Sequence, residues 1–241
     1  VLREQCDRLN QVFLHYIQHQ TPYVVMKYAM TMDGKIATRS GLSKWITGEA
    51  ARQQVQQDRH RYSAIMVGVG TVLADDPLLT CRLPDSKNPV RVICDTHLRT
   101  PLTSQIVQTA KDVPTIIATS CDDDEKLTLY RQANCQICMV PEQKGHLDLQ
   151  RLMQALGQQK IDSILLEGGG TLNWAALQSG IVHKVQAYIA PKLFGGAEAK
   201  SPVEGLGVDA PAQAVRLAPP QVIHFGDDLL LESEVLPCLQ A

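Results

Sequence analysis

Apolar positions along this chain recur with two different periods. Over residues 2–17, Leu2, Cys6, Leu9, Val12, Phe13, Tyr16 and Ile17 follow one another at three- and four-residue intervals, which predicts an amphipathic helix. Thr21-Pro22 ends it, because proline cannot continue a helix. Short and largely apolar runs come next, and residues 23–30, 64–69, 89–95, 113–119, 135–140, 161–166 and 184–190 predict strands. Helical patterns lie between them. Thr47, with Glu49 two positions on, predicts the N-cap of a polar helix running to about Arg61. Leu149, Leu152, Met153 and Leu156 have helical spacing, with Gly157 closing the turn, and residues 171–178 predict a further helix. Gly226-Asp227 reads as the turn of a hairpin joining residues 222–225 to 229–235. Strands alternating with helices predict an α/β fold, a mostly parallel sheet flanked by helices with an antiparallel C-terminal hairpin. No repeat or linker interrupts the pattern, so one domain is expected.

Composition narrows the class. The chain has 241 residues, 44% of them apolar, enough for a sizeable core. Its apolar runs are far shorter than the roughly 20 residues of a membrane span, so a soluble protein with no membrane partner is expected. The net charge is −2 with Lys and Arg scattered, which argues against nucleic acid as a partner. No secretory signal opens the chain, so the cytoplasm is the expected location. The first residue is Val rather than Met, which leaves the native start in question. Seven cysteines are spread from Cys6 to Cys238, and reduced thiols are expected. Cys135 and Cys138 have C-x-x-C spacing, but they sit on a predicted strand facing opposite sides, with no second pair at zinc spacing. No metal site is expected.

Three clusters carry chemistry. The first runs from Ile164 through Leu166-Glu167-Gly168-Gly169-Gly170-Thr171 to Asn173. A buried strand delivers the chain to a turn without side chains, and the following helix offers unpaired N–H groups and a dipole that suits phosphate. Neither the Rossmann fingerprint nor the P-loop is matched; tight packing is the other use for these glycines. Glu167, at the carboxyl end of the strand, stands where open α/β sheets bind ligands and can exchange protons with a substrate or accept its N–H groups. A capping or ion-pair role is the alternative.

The second cluster runs from Lys27 through Thr31-Met32-Asp33-Gly34-Lys35-Ile36-Ala37 and on through Ser43-Lys44-Trp45. Lys27 in the middle of an apolar strand needs a carboxylate or phosphate partner. Asp33-Gly34 reads as a turn, and Trp45 either covers a flat ring or plugs the core. The third cluster is loop, from Gly68 and Gly70 through Thr71 and Asp75 to Arg82, whose planar fork suits bidentate phosphate binding. No serine elbow is present and none of the seven histidines has an evident partner by spacing. An enzyme without a conspicuous nucleophile points to chemistry carried by a bound cofactor such as a nicotinamide.

Together the clusters resemble the reductase domain of the bacterial bifunctional riboflavin-biosynthesis deaminase–reductase family. The stretch from Lys27 to Ala37 and Thr71-Val72-Leu73-Ala74-Asp75-Asp76-Pro77 are its specific parts. The resemblance implies a dihydrofolate-reductase-like fold and NADPH-dependent reduction of 5-amino-6-(5-phosphoribosylamino)uracil, with hydride delivered to ribose C1′ of the ring-opened imine. It implies cofactor contacts at Ala29, Trp45, Thr71, Asp75, Thr96, Gly169, Gly170, Thr171, Leu172, Asn173, Trp174 and Ala175. Substrate contacts fall at Ser43, Arg59, Leu79, Arg82 and Glu167, with Arg59 and Arg82 on the phosphate and Lys27 beside the ribose; Lys27 and Glu167 are the catalytic candidates. A homodimer is implied, as is fusion to a zinc deaminase domain in the full-length protein. The deaminase motifs do not occur here, so residues 1–20 read as the helix that ends that missing domain, 21–241 as the reductase, and the chain as a truncated one. A pterin reductase of the same fold and a non-catalytic nucleotide-binding module are the competing readings. Asp95 at a strand end by itself points to NADH, since an acid there repels a 2′-phosphate.

Overall fold

The computed structural model describes residues 2, 6, 7 and 9–237; residues 3–5 and 8 of the expected first helix, and Cys238, lie outside them. In chain order come α1 (Gln11–His19), β1 (Tyr23–Thr31), α2 (Glu49–Arg61), β2 (Ala64–Gly68), α3 (Val69–Asp75), β3 (Val90–Cys94), α4 (Gln105–Gln108) and β4 (Thr115–Thr119). Then follow α5 (Asp124–Gln132), β5 (Gln136–Met139), β6 (Glu142–Gln143), β7 (His146–Leu147), α6 (Leu149–Gln158), β8 (Ser163–Leu166), α7 (Gly170–Gln178), β9 (Val182–Ala190), β10 (Gln221–Phe225) and β11 (Asp228–Glu234). This is the expected α/β fold, with parallel pairing through the middle of the chain and antiparallel strands at its C-terminal end. The chain forms two compact units, Val1–Val24 with Arg59–Leu165, and Val25–Asp58 with Leu166–Ala241.

The first unit orders its strands β8-β2-β3-β4-β5. Every residue of β4 and β8 is buried, as are the first four of β2, which is why these strands read as unbroken apolar runs rather than alternations. Ile65, Val67, Ile93, Ile106, Ile117 and Leu127 form the centre of its core. Helix α6 buries Leu149, Leu152, Met153 and Leu156, and Asp148 caps it by accepting from Arg151 N–H at 3.0 Å. Gly157 does not close that helix, which runs on to Gln158; a Cβ there would collide with the Gln20 carbonyl oxygen, so the glycine marks a close approach of two backbones. The stretch after Gly68, read from sequence as loop, is helical as α3. The short α4, α5 and the β6–β7 pair carry no periodicity long enough to predict them.

The second unit orders its strands β10-β11-β9-β1. The expected hairpin closes at Phe225 paired with Asp228, leaving Gly226 at φ +63° to make the turn. Its core is smaller: Ala51, Val55, Tyr188 and Leu230, with Ala29, Ile223 and Phe225 against them. Helix α2 begins one residue later than the Thr47 cap predicts. Gly48 supplies the carbonyl for Arg52 N–H at 3.2 Å, and its own N–H donates to Asp228 Oδ2 at 2.6 Å.

Candidate active site

Strand β8 ends on buried Leu166, and the second unit continues from there with Glu167 and Gly168, both half-buried, before Gly169 caps α7. Gly169 has φ −77° and ψ 170°, extended backbone open to any residue, so dihedral freedom is not why glycine stands here. Space is the reason at its neighbours. A Cβ on Gly170 would lie 2.7 Å from Ser201 O and 2.5 Å from Glu204 Cγ, and one on Gly168 would press on Leu172 and Asn173 Oδ1. The backbone N–H groups of residues 169–172 meet no protein acceptor among the described residues, and α7 has no acid in its first turn. Four unsatisfied donors at a helix N-terminus fit a pyrophosphate. The neighbouring Glu204 carboxylate is engaged by Ser201 N–H at 3.1 Å.

Two residues of this segment spend their side chains elsewhere. Asn173 Nδ2 donates to Pro202 O at 2.8 Å, and its Oδ1 is buried without a partner. The Trp174 ring lies against Gly205, at φ +110°, where a Cβ would strike Cδ1 of the indole. Both therefore bind the loop 201–205 to α7.

On β1, Lys27 and Ala29 are half-buried, and Lys27 Nζ lies 5.6 Å from the centre of the Tyr188 ring, within cation–π range. The Asp33-Gly34 turn that follows does more than reverse the chain. Asp33 accepts from Phe194 N–H at 3.1 Å and Gly195 N–H at 2.6 Å, and from the Thr31 hydroxyl. Those bonds, the Thr31 hydroxyl first, hold its carboxyl at about 2. Lys35 Nζ donates to Ala199 O at 3.2 Å, and Lys192 Nζ to Ile46 O at 2.7 Å. Asp33 and Lys35 thus fasten the loop 192–200, and Lys192 of that loop fastens it to residues 45–46. Ser43 is half-buried, and Trp45, at 57% exposure, is no core plug; Arg52 stacks on its ring at 4.8 Å.

In the first unit α3 carries Thr71, half-buried, and Asp75, exposed, and nothing lies within 4 Å of where a Cβ on Gly70 would be. Arg82 is exposed. Leu79 sits at φ +53° with its side chain in the core, so its backbone is what remains to meet a ligand. Arg59 is half-buried and donates from Nη1 to Thr80 O at 3.0 Å, so it anchors the loop that carries Arg82. At the end of β3, Asp95 is fully buried and its Oδ2 accepts from Thr100 N–H at 2.6 Å and Thr100 Oγ1 at 2.7 Å. It is turned into the protein to cap the 96–100 turn, which removes the argument for NADH. Thr96, half-buried, takes the Thr119 and Ser120 hydroxyls on its carbonyl at 3.0 Å each.

Burial pushes the Cys94 thiol up to about 12 and the Cys135 thiol to about 11, values that make them inert near neutral pH. Among the described residues no three His, Cys, Asp or Glu stand together as a metal site needs. Arg91, which the sequence reading passes over, is fully buried in β3 and makes five hydrogen bonds. The signal was the one that drew attention to Lys27, a cation inside an apolar strand.

The fold and these clusters define a class, and residues 22–231 match the family described as the RibD C-terminal domain. The chain belongs to that family. It is 55% identical over 98% of its length to the riboflavin biosynthesis protein RibD of Actinobacillus pleuropneumoniae, covering 63% of that protein. It is 38% identical over 89% of its length to the 2,5-diamino-6-ribosylamino-4(3H)-pyrimidinone 5′-phosphate reductase of Methanothermobacter thermautotrophicus, covering 98% of it. Among solved structures, Acinetobacter baumannii RibD matches with a TM-score of 0.81 at 33% identity, over 95% of this chain and 62% of that one. The chain thus spans about three-fifths of the RibD proteins it resembles and nearly all of the archaeal reductase.

Proposed function

We propose that the chain reduces 5-amino-6-(5-phosphoribosylamino)uracil to its ribitylamino product with NADPH, as the reductase part of a riboflavin-biosynthesis protein. The observation that carries this reading is the end of β8, where Glu167 leads directly into four N–H donors without protein acceptors at the start of α7. A candidate pyrimidine-binding carboxylate and a candidate pyrophosphate cradle thus follow one another along the chain, which supports the reading. The family and the archaeal relative, named for a ribosylaminopyrimidinone phosphate, support the substrate class and favour it over a pterin.

NADPH would bind through the N–H groups of residues 169–172 and would supply the hydride for C1′ of the ring-opened sugar; Ala29, Trp45, Thr71, Asp75, Thr96 and the rest of the segment to Ala175 are its further contacts in this reading. Within the chain, Glu167 accepts hydrogen bonds from the pyrimidine N–H groups and fixes the ring. Lys27 Nζ hydrogen-bonds the ribose hydroxyls and holds the proton needed at the sugar as its ring opens. Arg82 takes the phosphate, with Arg59 fixing its loop, and Ser43 and the Leu79 backbone are further substrate contacts in this reading. With Asp95 turned inward, no carboxylate of β3 opposes a 2′-phosphate. A homodimer, a cytoplasmic setting and fusion to a zinc deaminase domain belong to the same reading.

The test is NADPH oxidation by the purified chain with and without the deaminated phosphoribosylamino-uracil. Substrate-dependent oxidation is expected, and Glu167→Gln should lower kcat/KM by about 100-fold or more. NADPH binding with no oxidation on substrate addition would leave the nucleotide-binding module as the better reading.

A further inference from the structure

Arg91 takes no part in the proposed reaction, yet it is among the largest fully buried side chains of the described residues. Removing a guanidinium from water is costly unless its donors are met, and all five are. Nε donates to Thr115 Oγ1 at 2.9 Å. Nη1 donates to Leu78 O at 3.2 Å and to Thr109 Oγ1 at 2.8 Å, and Nη2 to Ile106 O and Val113 O at 2.9 Å each. The acceptors are carbonyls and hydroxyls rather than a carboxylate, so the cation is used to gather backbone. They come from β4 and its lead-in, from α4 and the residue that caps it, and from the loop just before Leu79.

Helix α4 grips the same loop independently. Gln105 N–H donates to Asp76 Oδ1 at 2.8 Å and Gln105 Nε2 to Asp76 O at 2.5 Å. Residues 76 and 78 are thus pinned by one assembly, α4 and the guanidinium packed on it. Beyond them Thr80 O is held by Arg59, and Cys81 N–H by Asn88 Oδ1 at 3.0 Å. Arg82 follows directly, with its side chain exposed. The backbone that presents Arg82 is therefore fixed at successive points before any ligand arrives, and Arg91 is the innermost of them.

We propose that Arg91 is a positioning residue for substrate recognition: its fork sets the backbone at Leu78 and so places Arg82 for the phosphate of a sugar-phosphate substrate. This rests on the reading of Arg82 as the phosphate ligand. Arginine is required because lysine offers three donors from a single nitrogen and cannot span five acceptors in a plane.

The test compares wild type with Arg91→Lys, measuring KM for the phosphorylated pyrimidine, KM for NADPH, kcat, and amide hydrogen exchange over residues 78–82. The substrate KM should rise about tenfold or more and loop exchange should quicken by a similar factor. The NADPH KM and kcat should stay within about twofold. A folded Arg91→Lys protein with wild-type substrate KM and wild-type loop exchange overturns the proposal, as does a loss of stability with no change in substrate KM. Should Arg91→Lys fail to fold, Thr109→Val removes one acceptor from Nη1 and keeps the charge; faster exchange of the loop with raised substrate KM is expected, and no change in either overturns the proposal. If wild type turns over no such substrate, the reductase reading falls and recognition with it, while the exchange measurement still decides whether Arg91 fixes the loop.

Discussion

The first unit fastens its candidate loop with a guanidinium sunk in β3, whereas the second fastens loop 192–200 with an exposed carboxylate and one lysine at a turn, Asp33 and Lys35, and with the loop's own Lys192. Arg91 has no solvent exposure and collects carbonyls; Asp33 is exposed and collects N–H groups. Both serve the same end, holding backbone beside residues that can meet a ligand. The difference lies in what water does. Around Arg91 no water replaces a lost bond, so the arrangement is rigid and costly to break. Around Asp33 water competes for every donor, so the arrangement is cheap to open and sensitive to pH and salt. Charged residues in the most distinctive stretches of sequence, Asp33 and Lys35 among them, thus bind the protein to itself.

The sharpest way to break this contrast is to remove the buried fork. Arg91→Met leaves the carbonyls of Leu78 and Ile106 without the donor they have now, Val113 O keeping only the Thr115 hydroxyl, and should lower the free energy of unfolding by about 3–5 kcal/mol, read from urea titration. A loss below about 1 kcal/mol, the range of a surface pair, would make the two fastenings equivalent. The glycines give the next contrast. Gly170→Ala drives a methyl into Ser201 O and Glu204 and should cost about 1–3 kcal/mol, whereas Gly70→Ala in α3 meets nothing within 4 Å and should gain up to about 1 kcal/mol. Thermal melts of the two variants decide it. If Gly170→Ala is neutral, the 201–205 loop is not pressed on α7 and the glycine is kept for the ligand alone.

The alternation of strands and helices was legible because the buried strands are continuous apolar runs and α6 keeps a clean 3.6 period. The closing hairpin was legible because Gly226-Asp227 is strong turn chemistry. Helix α3 was not, since its seven residues open with Val-Gly-Thr and complete barely two turns. The candidate residues were legible as motifs, but what each does was not. Glycine in Gly168-Gly169-Gly170 looks the same whether a phosphate or a neighbouring loop needs the space, and here Ser201 and Glu204 claim it at Gly170. Asp95 read as a ribose acid because only its strand position was visible, and its bonds to Thr100 depend on where the chain folds back. Trp45 read equally as the cover of a flat ring or as a core plug, and its exposure beneath Arg52 rules out the second. Arg91 in Val90-Arg91-Val92-Ile93 carries the same signal as Lys27, a cation inside an apolar strand, but the sequence does not show which carbonyls and hydroxyls fold back to meet it.

The smallest effect separates the two fastenings by pH. The Asp33 carboxyl is held at about 2, against an ordinary value of 3.8, chiefly by the Thr31 hydroxyl and then by Gly195 N–H. A carboxyl depressed in the folded state adds stability that is fully present above its unfolded value and is lost as pH falls through the folded one. Wild type should therefore exceed Asp33→Asn by a constant margin above about pH 5, and the margin should shrink from about pH 4 down toward pH 2. The Arg91 fork, which burial lowers only to about 10, stays protonated throughout and adds no slope there. Urea midpoints of the two proteins between about pH 1.5 and about pH 6 read the difference directly, a window that takes in both carboxyl values. A margin that keeps its size to the lowest pH would mean that the N–H groups of Phe194 and Gly195 are held by the shape of the turn and not by the charge of Asp33, and the exposed fastening would then be as indifferent to acid as the buried one.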